Sequence, residues 1–261
     1  FGNFGFPALG LAGAGVSSSF VNILMFLTLL VYVMRDKEFS GYAILSRVWR
    51  PDWARFKEVF RVGLPIGVTL LFEVGIFFAA SILMGLISTE QLAAHQIAMQ
   101  CISVTFMVPL GFAQAATIRV GLAAGARDGM AVSRAGWTAI MLGGSFMVAA
   151  SYVFWFHPLP VIRLFLGARV AGSPEVVGLA VLLLAVAAIF QIADGLQVLA
   201  SGALRGLKDT RVPMVFAVFG YWVIGFPVSV ILAFPLDFEG VGVWSGLAVG
   251  LIVNACLMLW R

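Results

Sequence analysis

The chain has 261 residues, of which 62% are hydrophobic and 11% charged, and its mean hydropathy is +1.05. Soluble domains average about 45–50% apolar and about 25% charged residues, so a soluble fold of this length could not cover its own apolar surface, and the same apolar mass excludes intrinsic disorder. Sixteen basic against twelve acidic residues give a net charge of +4; basic residues flanking membrane segments account for that excess, so the expected partner is a lipid bilayer and not nucleic acid.

Seven apolar segments follow in chain order, over 9–34, 62–87, 92–118, 131–156, 176–200, 212–234 and 241–260. Each is long enough for the roughly 20 residues that a helix needs to cross a hydrocarbon core about 30 Å thick. None alternates with the period of two of a membrane β-strand. The predicted fold is an all-α membrane protein with seven transmembrane helices. Phe1 replaces a starting Met, and no charged stretch precedes the first apolar run. The expectation is a chain without a signal peptide that is a piece of a longer polypeptide.

The basic residues divide unevenly. The 35–61 connection holds seven, 119–134 holds Arg119, Arg127 and Arg134, 201–211 holds Arg205, Lys208 and Arg211, and Arg261 ends the chain. These fourteen share one side, and only Arg163 and Arg169 fall on the other. Apart from Arg134, at the edge of the 131–156 segment, no Lys or Arg lies within a predicted span. The positive-inside rule then makes the chain start external and the C-terminus cytoplasmic. Tyr42, Trp49 and Trp53 suit the 35–61 connection to an amphipathic segment on the inner leaflet, and a solvated linker equally well.

Ten of the twelve carboxylates lie in connections or at their edges. Glu73, in Leu70-Leu71-Phe72-Glu73-Val74, and Asp194, in Gln191-Ile192-Ala193-Asp194-Gly195, do not. They stand 12 residues from Arg61 and 11 from Arg205, which places both roughly 16–18 Å from one face at 1.5 Å per residue. A charge at the centre of a span costs about 2.5–3.5 kcal/mol on insertion scales and turns inward, toward another polar group or a wet cavity. Two carboxylates at one depth make a candidate proton or Na⁺ site. The alternative is a protonated pair serving as interhelical hydrogen-bond glue. No other metal site, cofactor site or enzyme constellation is visible, because Ser and His are not paired at depth and no span carries a Lys.

Weaker signals follow. Pro65 sits in the first turns of its span, whereas Pro109 and Pro227 lie deeper and are candidate hinges, with a simple kink as the alternative. The Gly121/Gly125, Gly202/Gly206 and Gly246/Gly250 pairs permit close helix approach, a common pattern in membrane chains. His95 reads as a hydrogen-bonded packing residue, and Cys101 and Cys256 as buried small hydrophobes. Trp137, Tyr152, Trp155, Trp244 and Trp260 fall near span ends, as interfacial aromatics do. Tyr221 and Trp222 stand mid-span and are candidate cavity-lining residues.

The stretch Gly63-Leu64-Pro65-Ile66 to Phe72-Glu73, then Ala93-Ala94-His95-Gln96, Phe106-Met107-Val108-Pro109, Ile118-Arg119-Val120-Gly121, Asp194-Gly195-Leu196-Gln197, Gly202-Ala203-Leu204-Arg205-Gly206 and Tyr221-Trp222 with Gly225 and Pro227 resembles the multidrug and toxic compound extrusion (MATE) transporters, in their NorM-like bacterial branch. The resemblance implies two six-helix lobes facing a cleft. Residues 1–34 would be the last helix of the N-lobe, 35–61 the cytoplasmic inter-lobe loop and 62–261 the six-helix C-lobe, with the first five helices, and so most of the N-lobe, absent. It further implies export of small amphipathic or cationic compounds across a bacterial inner membrane in exchange for Na⁺ or H⁺, with Glu73 and Asp194 handling the ion. Phe106 matches a family aromatic near the ion. Phe190 stands where NorM-like proteins often carry a Tyr, which removes a hydroxyl ligand, and Gln191 adjoins it. Together with Tyr221 and Trp222 these are the candidate cavity or ion-site supports. Two other readings of the topology remain: a seven-helix receptor, and a lipid-linked precursor flippase, which would favour a more cationic cavity.

Overall fold

A computed structural model describes residues 10–36, 52–166 and 174–261. They form helices α1 (Gly10–Arg35), α2 (Trp53–Ile87), α3 (Thr89–Gly125), α4 (Gly129–Phe156), α5 (Pro158–Leu166), α6 (Pro174–Gly206), α7 (Arg211–Ala217), a π-helical segment (Val218–Gly225), α8 (Phe226–Ala233) and α9 (Glu239–Trp260). With α7, the π segment and α8 taken as one rod, seven helices are long and apolar enough to cross a membrane. The seven expected spans are thus present. The chain divides into two compact units, Phe1–Glu58 and Val59–Arg261. In the first, α1 exposes apolar side chains along its length, among them Phe20, Leu24 and Val31.

Several helices outrun their apolar stretches. Asp52 accepts from the backbone N–H groups of Ala54 and Arg55 at 3.1 and 3.2 Å. That cap starts α2 nine residues before the expected span, so Arg55, Lys57 and Arg61 are helical and not in a loop. Likewise α3 runs on past Arg119, Arg134 belongs to α4, and Arg205 to the last turn of α6. Hydropathy marks only what lipid covers, while helix propensity carries the backbone into the polar zone. Tyr42 and Trp49 lie outside the described residues. The expected 157–175 connection contains the short helix α5.

Within the second unit α6 is the hub, packed by α3, α4 and α9. Its small residues make that possible. A Cβ at Gly202 would stand 2.5 Å from the Ala113 carbonyl oxygen of α3, and the Thr117 hydroxyl donates to the Gly202 carbonyl at 2.7 Å. The main core joins α2, α3, α6 and α9 around Met84, Ala98, Leu184, Phe190, Trp244 and Leu251. Short turns close three helix ends with Arg127, Lys208 and Asp237 in the left-handed region. In each, the next residue's N–H bonds a carbonyl several residues back, which satisfies an orphaned terminal acceptor.

Two expectations fail here. Trp244 is not interfacial: it is wholly buried, and its indole N–H donates to His95 Nδ1 at 3.1 Å. Depth along a helix says nothing about which face a residue occupies, and the Trp244 face of α9 looks into the bundle. Cys256 is exposed on α9, although Cys101 is buried.

The expected packing role of His95 has a definite geometry. Because an indole N–H can only donate, Nδ1 is the acceptor, so the neutral ring carries its proton on Nε2. Nε2 lies 2.9 Å from Ser81 Oγ, and Ser81 in turn donates to the Phe77 carbonyl at 3.1 Å. The chain Trp244–His95–Ser81–Phe77 ties α9 and α3 to α2 with every donor used. Trp244→Phe leaves Nδ1 without a donor in the core and is expected to cost about 1–3 kcal/mol, read as a fall in the thermal midpoint of the purified protein. An unchanged midpoint would mean that the bond contributes nothing.

Candidate functional site

Glu73 on α2 is half-buried and Asp194 on α6 is buried, 3% exposed. The two interact electrostatically, so helices far apart in sequence bring both deep acids into one region of the second unit. Glu73 also feels Arg205, in the last turn of α6. This basic partner sits inside a helix, where the hydropathy pattern places a connection.

Around Asp194 the bundle is polar but incompletely bonded. Asp194 Oδ1 and Gln191 Nε2 are buried and have no hydrogen-bond partner, and the buried Asn254 amide lies beside the Tyr221 hydroxyl. Gln191 lies almost one turn before Asp194 on α6, and its Oε1 stands 3.4 Å from the Thr105 hydroxyl, which bonds the Ile102 carbonyl at 2.9 Å. Tyr221, in the π segment, is buried, donates to Gln197 Oε1 at 2.6 Å and interacts electrostatically with both Glu73 and Asp194. Asn254, on α9 and wholly buried, packs its Cβ toward Gly220 of the same π segment. An unpaired buried polar group costs about 1–3 kcal/mol. Asp194 and Gln191 carry two such atoms on one face of α6, in the region that Tyr221 joins.

The π segment shapes this region. Phe226 N–H bonds the Tyr221 carbonyl, five residues back. The widened turn precedes Pro227, the second residue of α8, which has no N–H to continue the ladder. Such widened turns recur at functional sites. One residue along, the Trp222 indole donates to the Phe72 carbonyl at 3.2 Å, and its ring meets Phe72 edge-on at 6.1 Å. That clip holds the π segment against α2 one residue from Glu73. Pro109 is buried within an unbroken α3. Lacking an N–H, it leaves the Thr105 carbonyl without its helical donor, on the residue that reaches Gln191.

The structure therefore gathers Glu73, Asp194, Gln191 and Tyr221, with Trp222 alongside. Phe190 and Phe106, next to Gln191 and Thr105 in the chain, are seen in apolar contacts. Phe190 stacks at a tilt on Trp244, with ring centroids 5.4 Å apart. Phe106 packs on a second cluster of Ala113, Ala116, Ala139, Val198 and Leu199. Sequence reasoning misses Asn254, Gln197 and Thr105. Asn254 does leave a signal, an amide inside the apolar run Leu251-Ile252-Val253-Asn254-Ala255, but a search for charges at depth passes over it.

The MatE family model matches residues 65–231. The whole chain is 51% identical to a probable multidrug resistance protein NorM of Mesorhizobium japonicum, of which it covers 56%. It is 47% identical to the protein of the same description from Brucella suis, again covering 56% of it. The chain thus spans about half the length of the curated relatives it matches. Among solved structures, the eukaryotic MATE transporter AtDTX14 superposes with a TM-score of 0.86 at 23% identity, over 98% of this chain and 56% of that one. An outward-facing multidrug resistance MATE family transporter of the MOP superfamily gives 0.72 at 22% identity, over 82% of this chain and 48% of that one.

Proposed function

The chain belongs to the MATE family, and we propose that it supplies the C-lobe and the last N-lobe helix of a multidrug efflux antiporter whose coupling ion is held by Glu73 and Asp194. The observation that carries this reading is the unpartnered, buried carboxylate oxygen of Asp194 beside a second acid. A structural pair would satisfy itself, whereas this one leaves room for a proton or a desolvated Na⁺. Small amphipathic or cationic compounds are the substrates, attracted to the same negative charge. Ion and substrate then compete for one acidic region, and each favours the conformation that binds it better. Pro109 and the π segment before Pro227 are where the bundle flexes between those conformations. The fourteen basic residues set the orientation, with the C-terminus cytoplasmic and the chain start external in a bacterial inner membrane. The rest of the N-lobe, from the same polypeptide, supplies the facing wall of the cleft. The names of the relatives favour this reading over a receptor, and the two deep acids favour it over a flippase for anionic lipid-linked precursors.

The test is efflux of a lipophilic cation by the intact transporter under an imposed Na⁺ gradient, and separately under a pH gradient. One of the two drives efflux on this account; efflux indifferent to both would overturn it. The side chains around Asp194 sharpen the choice of ion. The Asn254 carbonyl and the Gln191 amide cannot take up a proton, but the Asn254 carbonyl oxygen suits Na⁺. If Na⁺ is the ion, Asn254→Leu raises the concentration for half-maximal efflux about 10-fold, the equivalent of one lost polar ligand, and leaves the pH profile in place.

A further inference from the structure

The connection between α3 and α4 is a tight turn, yet the two helices leave a cavity of about 720 Å³ between them. Its walls are unlike those of the site above. Half of the lining residues are alanines of the two helices, with Phe112 and Leu142 lining the end farthest from the turn. Two guanidinium groups, Arg119 from α3 and Arg134 from α4, line it from opposite sides, and no acid lines it. Among the described residues neither forms a salt bridge; Arg134 reaches only the thioether of Met130, at 3.9 Å. Asp128, in the turn nearby, already accepts from the Ala131 backbone N–H at 2.9 Å as the cap of α4.

The two arginines also share a level. Arg119 lies six residues before the end of α3 and Arg134 five residues after the start of α4, so each stands about 8–9 Å in from the turn at 1.5 Å per residue. From Arg119 the lining continues apolar to Phe112, a further distance of about 10 Å. The cavity therefore has a cationic collar near the polar zone and an apolar barrel running toward the membrane centre. Two cations that line one cavity repel each other, and among the described residues no acid lines it. An occupant with a single anionic head and a long apolar tail fits both parts, and basic pockets between helices at the positively charged face of a membrane bind such head groups.

We propose that this cavity is a binding site for one anionic phospholipid of the leaflet facing the arginine-rich end of the bundle, with its phosphate between Arg119 and Arg134 and an acyl chain along the alanine wall. Such a lipid would brace α3, the helix that carries Pro109 and Thr105, against α4. The proposal is independent of which ion drives transport and of the roles of Glu73 and Asp194.

The experiment is native mass spectrometry of the intact transporter in detergent, titrated with phosphatidylglycerol or with phosphatidylcholine of the same acyl chains. Wild type is expected to retain phosphatidylglycerol preferentially. Arg119→Gln with Arg134→Gln should weaken that retention about 30-fold, the effect of two basic groups near an anionic head. Thr138→Trp keeps both charges but fills the barrel, and should also displace the lipid. Arg211→Gln, at an exposed position on another connection, should leave retention as it was. Equal retention of the two lipids by wild type, or undiminished retention of phosphatidylglycerol in the double variant, would overturn the proposal. So would finding the cavity filled by the transporter's own remaining residues.

Discussion

Replacing Asp194 with Asn in the intact transporter is expected to abolish drug resistance in cells that depend on it, with a loss of coupled efflux of about 100-fold. The size follows from what the group does. The carboxylate is buried, and its Oδ1 has no protein partner, so the variant keeps shape and hydrogen-bonding capacity and loses the charge. Bonds to charged groups contribute about 1.5–3 kcal/mol, which corresponds to roughly 10–100-fold, and here the charge is the coupling group itself. Glu73→Gln is expected to act in the same direction but less completely. Glu73 is only half-buried and shares its field with Arg205. Expression and thermal midpoint should be nearly unchanged in both, which separates a functional loss from an unfolded protein. Resistance at the wild-type level in both variants would remove the acids from the mechanism.

The second large effect concerns stability. A Cβ at Gly246 of α9 would fall on the backbone of Ser229 in α8, so the two helices meet there main chain to main chain. Ser229 takes advantage of the approach: its hydroxyl lies 2.9 Å from the carbonyls of both Gly225 and Val243, which share its one proton. Gly246→Leu must push the helices apart, and overpacking of a tight interface costs about 1–3 kcal/mol or more. The expected result is a sharply lower thermal midpoint and poor membrane accumulation. At Gly125, the end of α3, an added methyl group would meet nothing within 4 Å, and Gly125→Ala should be neutral. An unchanged midpoint for Gly246→Leu would show that α8 and α9 do not pack as described.

The seven spans are legible in the residues alone because lipid demands long apolar helices. Glu73 and Asp194 are legible because charge at depth is expensive enough to need a reason. Neutral polar groups carry a weaker version of the same signal, so Asn254 and Gln197 escape notice although both are buried in the site. The glycine pairs are ambiguous in sequence, since Gly125 and Gly246 occupy the same motif and only the second meets another backbone. Trp244 shows the limit of counting along a helix: its position suits an interface, but its face points at His95. The π segment has no sequence marker beyond Pro227, because a widened turn depends on how the ladder is interrupted and not on composition.

The central claim is that ion and substrate exchange at Glu73 and Asp194. It is tested most directly by adding tetraphenylphosphonium to the purified intact transporter in weakly buffered solution and measuring the ion that leaves, H⁺ by pH indicator and Na⁺ by ion-selective electrode. The account predicts release of one of the two on binding to wild type, and none from the Glu73→Gln/Asp194→Asn double variant. Undiminished release from the double variant would contradict it.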